Sequence, residues 1–227
     1  MAVEFESYSW RNHGGIAQGL NRCKVKSRLT KGEIRRRSDP IGLPHMSQDL
    51  PHLIWVDCEM TGLDINKDAL VEIAVLVTDA QLNVLGGGVD LVIKCEQSKL
   101  DGMDDFVKNM HTSSGLITEI PNGTTLEKAD DAIITYLKKY APSEGKSPLA
   151  GNSVYVDRAF IARDLPKLNA YLHYRTIDVS TIKELARRWH PKPYFAAPAK
   201  DGNHRALGDI RDSIAELDYY RSAIFLP

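Results

Sequence analysis

Apolar and polar positions divide the chain into two unlike stretches. From residue 1 to about 47 neither a helical nor a strand period is sustained, Gly, Asn, Ser and Arg are frequent, and Asp39-Pro40 and Leu43-Pro44 punctuate the end. This stretch reads as a disordered extension, followed by one folded domain over residues 48–227. After Pro51 the pattern tightens, and residues 53–59, 70–78 and 89–93 form short apolar runs of strand length. Gly86-Gly87-Gly88, between the second and third runs, predicts a turn or bulge in an antiparallel connection. Helical patterns follow over about 104–111 and 126–140, then a strand near Leu149 and a helix over about 156–165. Residues 175–179 predict a strand feeding a helix over 180–189. The last helix spans about 205–224, with Leu207, Ile210, Ile214 and Leu217 as its core stripe. Three early strands followed by alternating helices and strands imply an α/β domain built on a mixed sheet flanked by helices. No internal repeat is visible.

Composition narrows the class. The 227 residues suit one domain with a sizeable core, and no apolar run reaches the roughly 18 residues of a membrane span. Cys23, Cys58 and Cys95 form no C-x-x-C pair, so a reducing, cytoplasmic compartment fits better than a disulfide scaffold. The net charge of −1 is unevenly spread. Residues 1 to 45 hold nine Lys/Arg against four acids, a balance of +5, which leaves the remainder at −6. An acidic domain is a poor track for long nucleic acid held by its phosphates, so a nucleic-acid substrate would be short or held through metal ions. Arg35-Arg36-Arg37 reads as part of a solvated basic tail rather than a nucleic-acid arm. It is not followed by the apolar stretch of a twin-arginine signal, and Glu4 and Glu6 count against a mitochondrial presequence. Met46 would serve equally as a start, leaving the residues before it as an appended tag or a misassigned beginning.

The chemistry lies in the acids. In Leu53-Ile54-Trp55-Val56-Asp57-Cys58-Glu59, the strand period of two puts Asp57 and Glu59 on one face and Cys58 on the other. Two acids on one face at the end of an apolar strand are costly unless something neutralises them, and a divalent cation would do so. Asp157 falls in the first turn of a helix just after a strand, where the helix dipole favours an acid. His204 and Asp209 are five residues apart, about 140° around a regular helix. They converge only if His204 lies in the loop before the last helix and Asp209 in its first turns. Taken singly, each of these acids and the histidine has an ordinary surface explanation.

In order, Asp-x-Glu, an Asp a hundred residues on, then His-x₄-Asp resembles the DEDDh exonucleases of the ribonuclease H-like fold. The segments Trp55-Val56-Asp57-Cys58-Glu59-Met60-Thr61-Gly62-Leu63-Asp64, Pro148-Leu149-Ala150-Gly151-Asn152-Ser153, Leu172-His173-Tyr174-Arg175, Ile177-Asp178-Val179-Ser180 and His204-Arg205-Ala206-Leu207 are similar to those of the oligoribonuclease family within that group. The resemblance runs from about residue 50 to the end. It implies a five-stranded mixed sheet, three antiparallel strands and then parallel ones, and a site of Asp57, Glu59, Asp157, Asp209 and His204.

The resemblance also implies roles. Asp57, Glu59 and Asp209 would hold one of two divalent cations, Mg²⁺ or Mn²⁺, with Asp57 bridging to the second and Asp157 supporting that one through water. His204 would be the general base for the attacking water. Leu63 would wedge between two bases, and Phe106 stands where the family usually has a tryptophan as a stacking platform. His173, Tyr174 and Arg175 would reach across a homodimer interface into the partner's site. There Arg175, with Ser153 and Ser180, would cap a 5′ phosphate, an arrangement that selects dinucleotides and other very short oligoribonucleotides. The competing expectations are an exonuclease of the same group acting on DNA 3′ ends, a catalytically silent RNA-binding module, and a phosphatase using the same metals.

Overall fold

A computed structural model describes residues 50–199 and 205–225. The extension over residues 1–47, with its Arg35-Arg36-Arg37 run, lies outside the described residues, as does His204. Among the described residues no helix is long and apolar enough to cross a membrane. The chain runs β1 (Leu53–Met60), β2 (Leu70–Thr78), β3 (Val84–Val92), α1 (Gln97–Asp101), α2 (Asp105–Ser113), α3 (Leu116–Glu119), a 3₁₀ turn (Ile120–Asn122) and α4 (Leu126–Tyr140). It continues through β4 (Leu149–Gly151), α5 (Tyr155–Asp164), α6 (Pro166–Tyr171), β5 (Thr176–Asp178), α7 (Val179–Trp189), α8 (Pro191–Phe195) and α9 (Ala206–Ile224).

The five strands form one sheet in the order β3-β2-β1-β4-β5. The first two neighbour pairs are antiparallel and the last two parallel. This is the ribonuclease H-like arrangement. The strand period sorts the residues of β1 between two cores. Ile54, Val56 and Cys58 face a core completed by Ile133, Leu137, Phe160, Ile161 and Leu168 from α4, α5 and α6. Leu53 and Trp55 face a second core with Val179, Ala206, Ile210 and Ile214, from the starts of α7 and α9. Asp57 and Glu59 continue the second face, so they emerge where α9 begins. In α9 the stripe is Ile210 and Ile214 fully packed, with Leu207 and Leu217 partly buried against the same cluster. A third cluster of Val71, Leu100, Met103, Leu116 and Ile120 seats α1 and α3 against β2.

One expectation is corrected. The third strand starts at Val84, not near Val89, and Gly86-Gly87-Gly88 lie inside it as a bulge. Val75 pairs with Val89 and Val77 with Leu85, so three glycines face the single residue Leu76. Gly86 and Gly88 adopt φ of 79° and 83°, a left-handed conformation that glycine reaches without steric cost. The ladder broken there is closed by Tyr136 of α4, whose hydroxyl accepts from Val77 N at 3.1 Å and donates to Leu85 O at 2.9 Å.

Candidate active site

Three carboxylates meet at the end of β1. Asp57, Glu59 and, from the first turn of α9, Asp209 each bring an oxygen to within 4.8 Å of the others. The sheet delivers the first two because its parallel half stops early. β4 pairs with β1 only at Ile54 and Trp55, leaving the last residues of β1 without a strand on that side.

Asp157 fills part of that gap. It sits in the first turn of α5, and its Oδ1 accepts the Cys58 N–H at 2.9 Å. One of its oxygens therefore secures the backbone between Asp57 and Glu59, while its charge lies close enough to Asp57 and Glu59 to raise both their pKa values. The Cys58 side chain points into the opposite core, as the strand period requires.

The cluster is electrostatically costly when bare. Burial, then the charges of Asp157, Glu59, Asp209 and Glu72, hold Asp57 well above the usual carboxylate range. Burial pushes Glu59 up to about 8, with Glu72, Asp209 and Asp157 adding to it and Arg205 opposing. Burial takes Asp157 up to about 6 against hydrogen bonds from its own backbone and from Cys58. Carboxylates so placed relax either by holding protons or by binding a cation. The donors are all hard carboxylate oxygens, which fit a divalent cation of the Mg²⁺ or Mn²⁺ kind.

Two side chains at this site carry no sequence signal. His111 of α2 is fully buried, donates from Nε2 to Met60 O at 2.9 Å and turns Nδ1 to 3.9 Å from Glu59 Oε2. Glu72, also fully buried, stands opposite Glu59 in the β1–β2 register. Each meets the site only through the fold, so a lone histidine on an amphipathic helix and a lone acid in an apolar strand give no warning.

The substrate-binding candidates lie on several separate elements. Leu63 lies on the β1–β2 loop and is 74% exposed. Asp68 braces that loop, accepting from Thr61 Oγ1 at 3.2 Å and from Asp64 N at 2.8 Å. Phe106 in the first turn of α2 is 76% exposed, so it is no part of the core and its ring is free to stack. Ser153 and Ser180 share a hydroxyl–hydroxyl bond of 3.2 Å and line one groove of about 690 Å³ with Tyr155, Asp178 and Lys183. Asp178 holds both in place by accepting from their backbone N–H groups at 3.0 and 2.9 Å. Arg175 is not beside them. With His173 it lines a different groove, with Lys146 and Pro148, at the opposite end of β5. Tyr174 is exposed and packs its ring against His173 at 4.3 Å.

Comparison with known proteins identifies the family. The family described as exonuclease matches residues 54–217. Oligoribonuclease of Streptomyces griseus is 57% identical over 175 residues, covering 77% of this chain and 87% of that protein. Oligoribonuclease of Mycobacterium tuberculosis is 53% identical over 176 residues, covering 77% and 82%. Among solved structures, Escherichia coli exonuclease I in a zinc-ion-bound complex with single-stranded DNA aligns with a TM-score of 0.60 at 14% identity, over 77% of this chain and 41% of that one. Exonuclease I from Methylocaldum szegediense gives 0.57 at 21% identity, over the same shares. The chain thus spans about two fifths of these exonuclease I chains, and at such identities the likeness is one of fold.

Proposed function

The chain belongs to the exonuclease family, and we propose that it is an oligoribonuclease, hydrolysing very short RNAs from the 3′ end to nucleoside 5′-monophosphates. The observation that carries this reading is the convergence of Asp57, Glu59 and Asp209 within 4.8 Å, with Asp157 beside them. Identities of 53 to 57% to oligoribonucleases over three quarters of the chain support RNA as the substrate.

Asp57, Glu59 and Asp209 would hold one divalent cation, Asp57 would share a second, and Asp157 would support that second one through water. Two such ions neutralise charge on the phosphoryl oxygens and make a bound water acidic enough to react near neutral pH. His204 takes the proton of the attacking water, a task suited to imidazole. Its assignment rests on its place five residues before Asp209 in the sequence pattern. The 3′ oxygen of the preceding nucleotide leaves, so the released nucleotide keeps its phosphate at the 5′ position.

Leu63 and Phe106 supply exposed apolar surface for two bases, one as a wedge and one as a stacking face. Ser153 and Ser180 bind the 5′ phosphate of a dinucleotide, and the Arg175 of a second copy completes the cap with its planar fork. A capped 5′ end leaves no exit for a longer strand, which makes dinucleotides the preferred substrate and a homodimer the active form.

The test is direct. Asp209→Ala is expected to abolish metal-dependent release of mononucleotides from a 5′-phosphorylated RNA dinucleotide, and chelator should do the same to the unaltered protein. Unchanged turnover in Asp209→Ala would sink the assignment of the site.

A further inference from the structure

Arg205 is the last residue before α9, and its guanidinium joins two acids from separate elements. Nε and Nη2 reach Glu72 Oε1 at 2.9 and 2.8 Å, while Nη1 and Nη2 reach Glu119 Oε1 and Oε2 at 3.0 and 3.1 Å. The other oxygen of Glu72 accepts the Ala206 N–H at 3.1 Å. Helix α9 has no side-chain cap of its own, so a buried carboxylate on β2 satisfies its first donor instead. One turn on, the Asp209 N–H donates to Arg205 O at 3.1 Å. The residue held by the two acids is thereby the one that starts the turn carrying Asp209.

The second acid belongs to the run of helices between β3 and β4. Glu119 ends α3, directly after α2, which carries Phe106 at its start and His111 near its end. Arg205 and Glu119 are partly exposed and only Glu72 is buried, and such ion pairs contribute little net stability, so stability alone is a weak reason for this network.

We propose that Arg205, through Glu72 and Glu119, is a positioning residue that sets Asp209 against Asp57 and Glu59 and ties that turn to the helices bearing Phe106. Metal affinity and the placement of the base platform are then fixed by one guanidinium. Lysine, a point charge without the planar fork, would hold one acid but not both.

The inference rests on the proposed metal site, so one calorimetric titration of substrate-free protein with Mn²⁺ carries both tests. Asp209→Ala should lose manganese binding, and retained binding there would count against the metal site itself. Arg205→Met should weaken manganese binding by about tenfold or more, the usual loss when a partner of a metal ligand is removed. Its kcat should fall in parallel while its circular dichroism stays that of the unaltered protein. Should Arg205→Met not fold, Arg205→Lys decides: a loss of manganese affinity of about threefold is expected, smaller than the ~10-fold of losing the partner outright because lysine keeps the charge but not the fork. Glu119→Gln should raise the KM for a dinucleotide and leave manganese binding nearly unchanged. Unaltered manganese affinity in Arg205→Met or Arg205→Lys, with binding lost in Asp209→Ala, would overturn the positioning role alone.

Discussion

Glu59 and Glu72 are direct partners across the antiparallel β1–β2 ladder, two buried carboxylates in a position where like charges destabilise a sheet. Arg205 and the Ala206 N–H answer Glu72. Burial first, and then the charges of Glu72, Asp209 and Asp157, push the Glu59 pKa up to about 8 against the opposing charge of Arg205, while His111 Nδ1 stands 3.9 Å from its Oε2.

That imbalance predicts how stability responds to pH without metal. Glu59 holds its proton up to about 8 in the folded protein but releases it near 4.5 when unfolded, and Asp157 moves the same way, from 3.8 to about 6. Between these values the folded state binds more protons, so its stability falls as pH rises. In chelator, Tm should drop by at least about 3 °C between about pH 5 and pH 8, the effect of ~1 kcal/mol in a chain of this size. Added Mn²⁺ should flatten the decline. A level profile in chelator would contradict the electrostatic account.

Asp57→Asn separates function from stability. The amide keeps the shape and removes a charge that burial and four acids oppose. Turnover should fall at least about a hundredfold, a few kcal/mol of lost transition-state stabilisation. The Tm in chelator near pH 8 should rise, as scanning fluorimetry would show. A large drop in Tm would mean that Asp57 serves the fold first.

Leu63→Ala and Phe106→Ala should act on binding alone. Both side chains are exposed, so thermal stability should be unaffected. For a dinucleotide, KM should rise about tenfold in Phe106→Ala, in line with the usual worth of a base–aromatic stack. Unaltered KM in both would remove them from the substrate site.

Ser153 and Ser180 lie in one groove of the chain and Arg175 in another. If a partner completes the site, two defective proteins should rescue each other. Arg175→Ala mixed with Asp209→Ala, after subunit exchange, should cleave a 5′-phosphorylated dinucleotide faster than either protein alone. The mixed dimer contains one site with both Asp209 and a partner's arginine. Activity equal to the average of the two would argue for a site within one chain.

Where local pattern and tertiary structure agree, the sequence was a sufficient guide. β2 and α4 span residues 70–78 and 126–140 as their periodicity requires, and β1 differs by one residue. The alternation Asp57-Cys58-Glu59 alone put both acids on one face of the strand. Elements that depend on distant partners were invisible. The first N–H groups of α6 are capped by Asp130 of α4, which accepts from Lys167 N and Leu168 N at 2.9 Å, so no local cap marks its start. β3 continues through three glycines because Tyr136, some fifty residues on, supplies the missing hydrogen bonds. Glu72 and His111 come to the site for the same reason, by packing rather than by motif.

On the proposed reading, the site removes nucleotides from RNAs only a few residues long. The most direct measurement is the rate of mononucleotide release across a 5′-phosphorylated RNA length series, with Mn²⁺ or Mg²⁺ and with chelator, beside DNA of matching length. Metal-dependent cleavage should be fastest on the RNA dinucleotide and fall steeply as the chain lengthens. Cleavage of a long strand, RNA or DNA, at least as fast as the dinucleotide would contradict it.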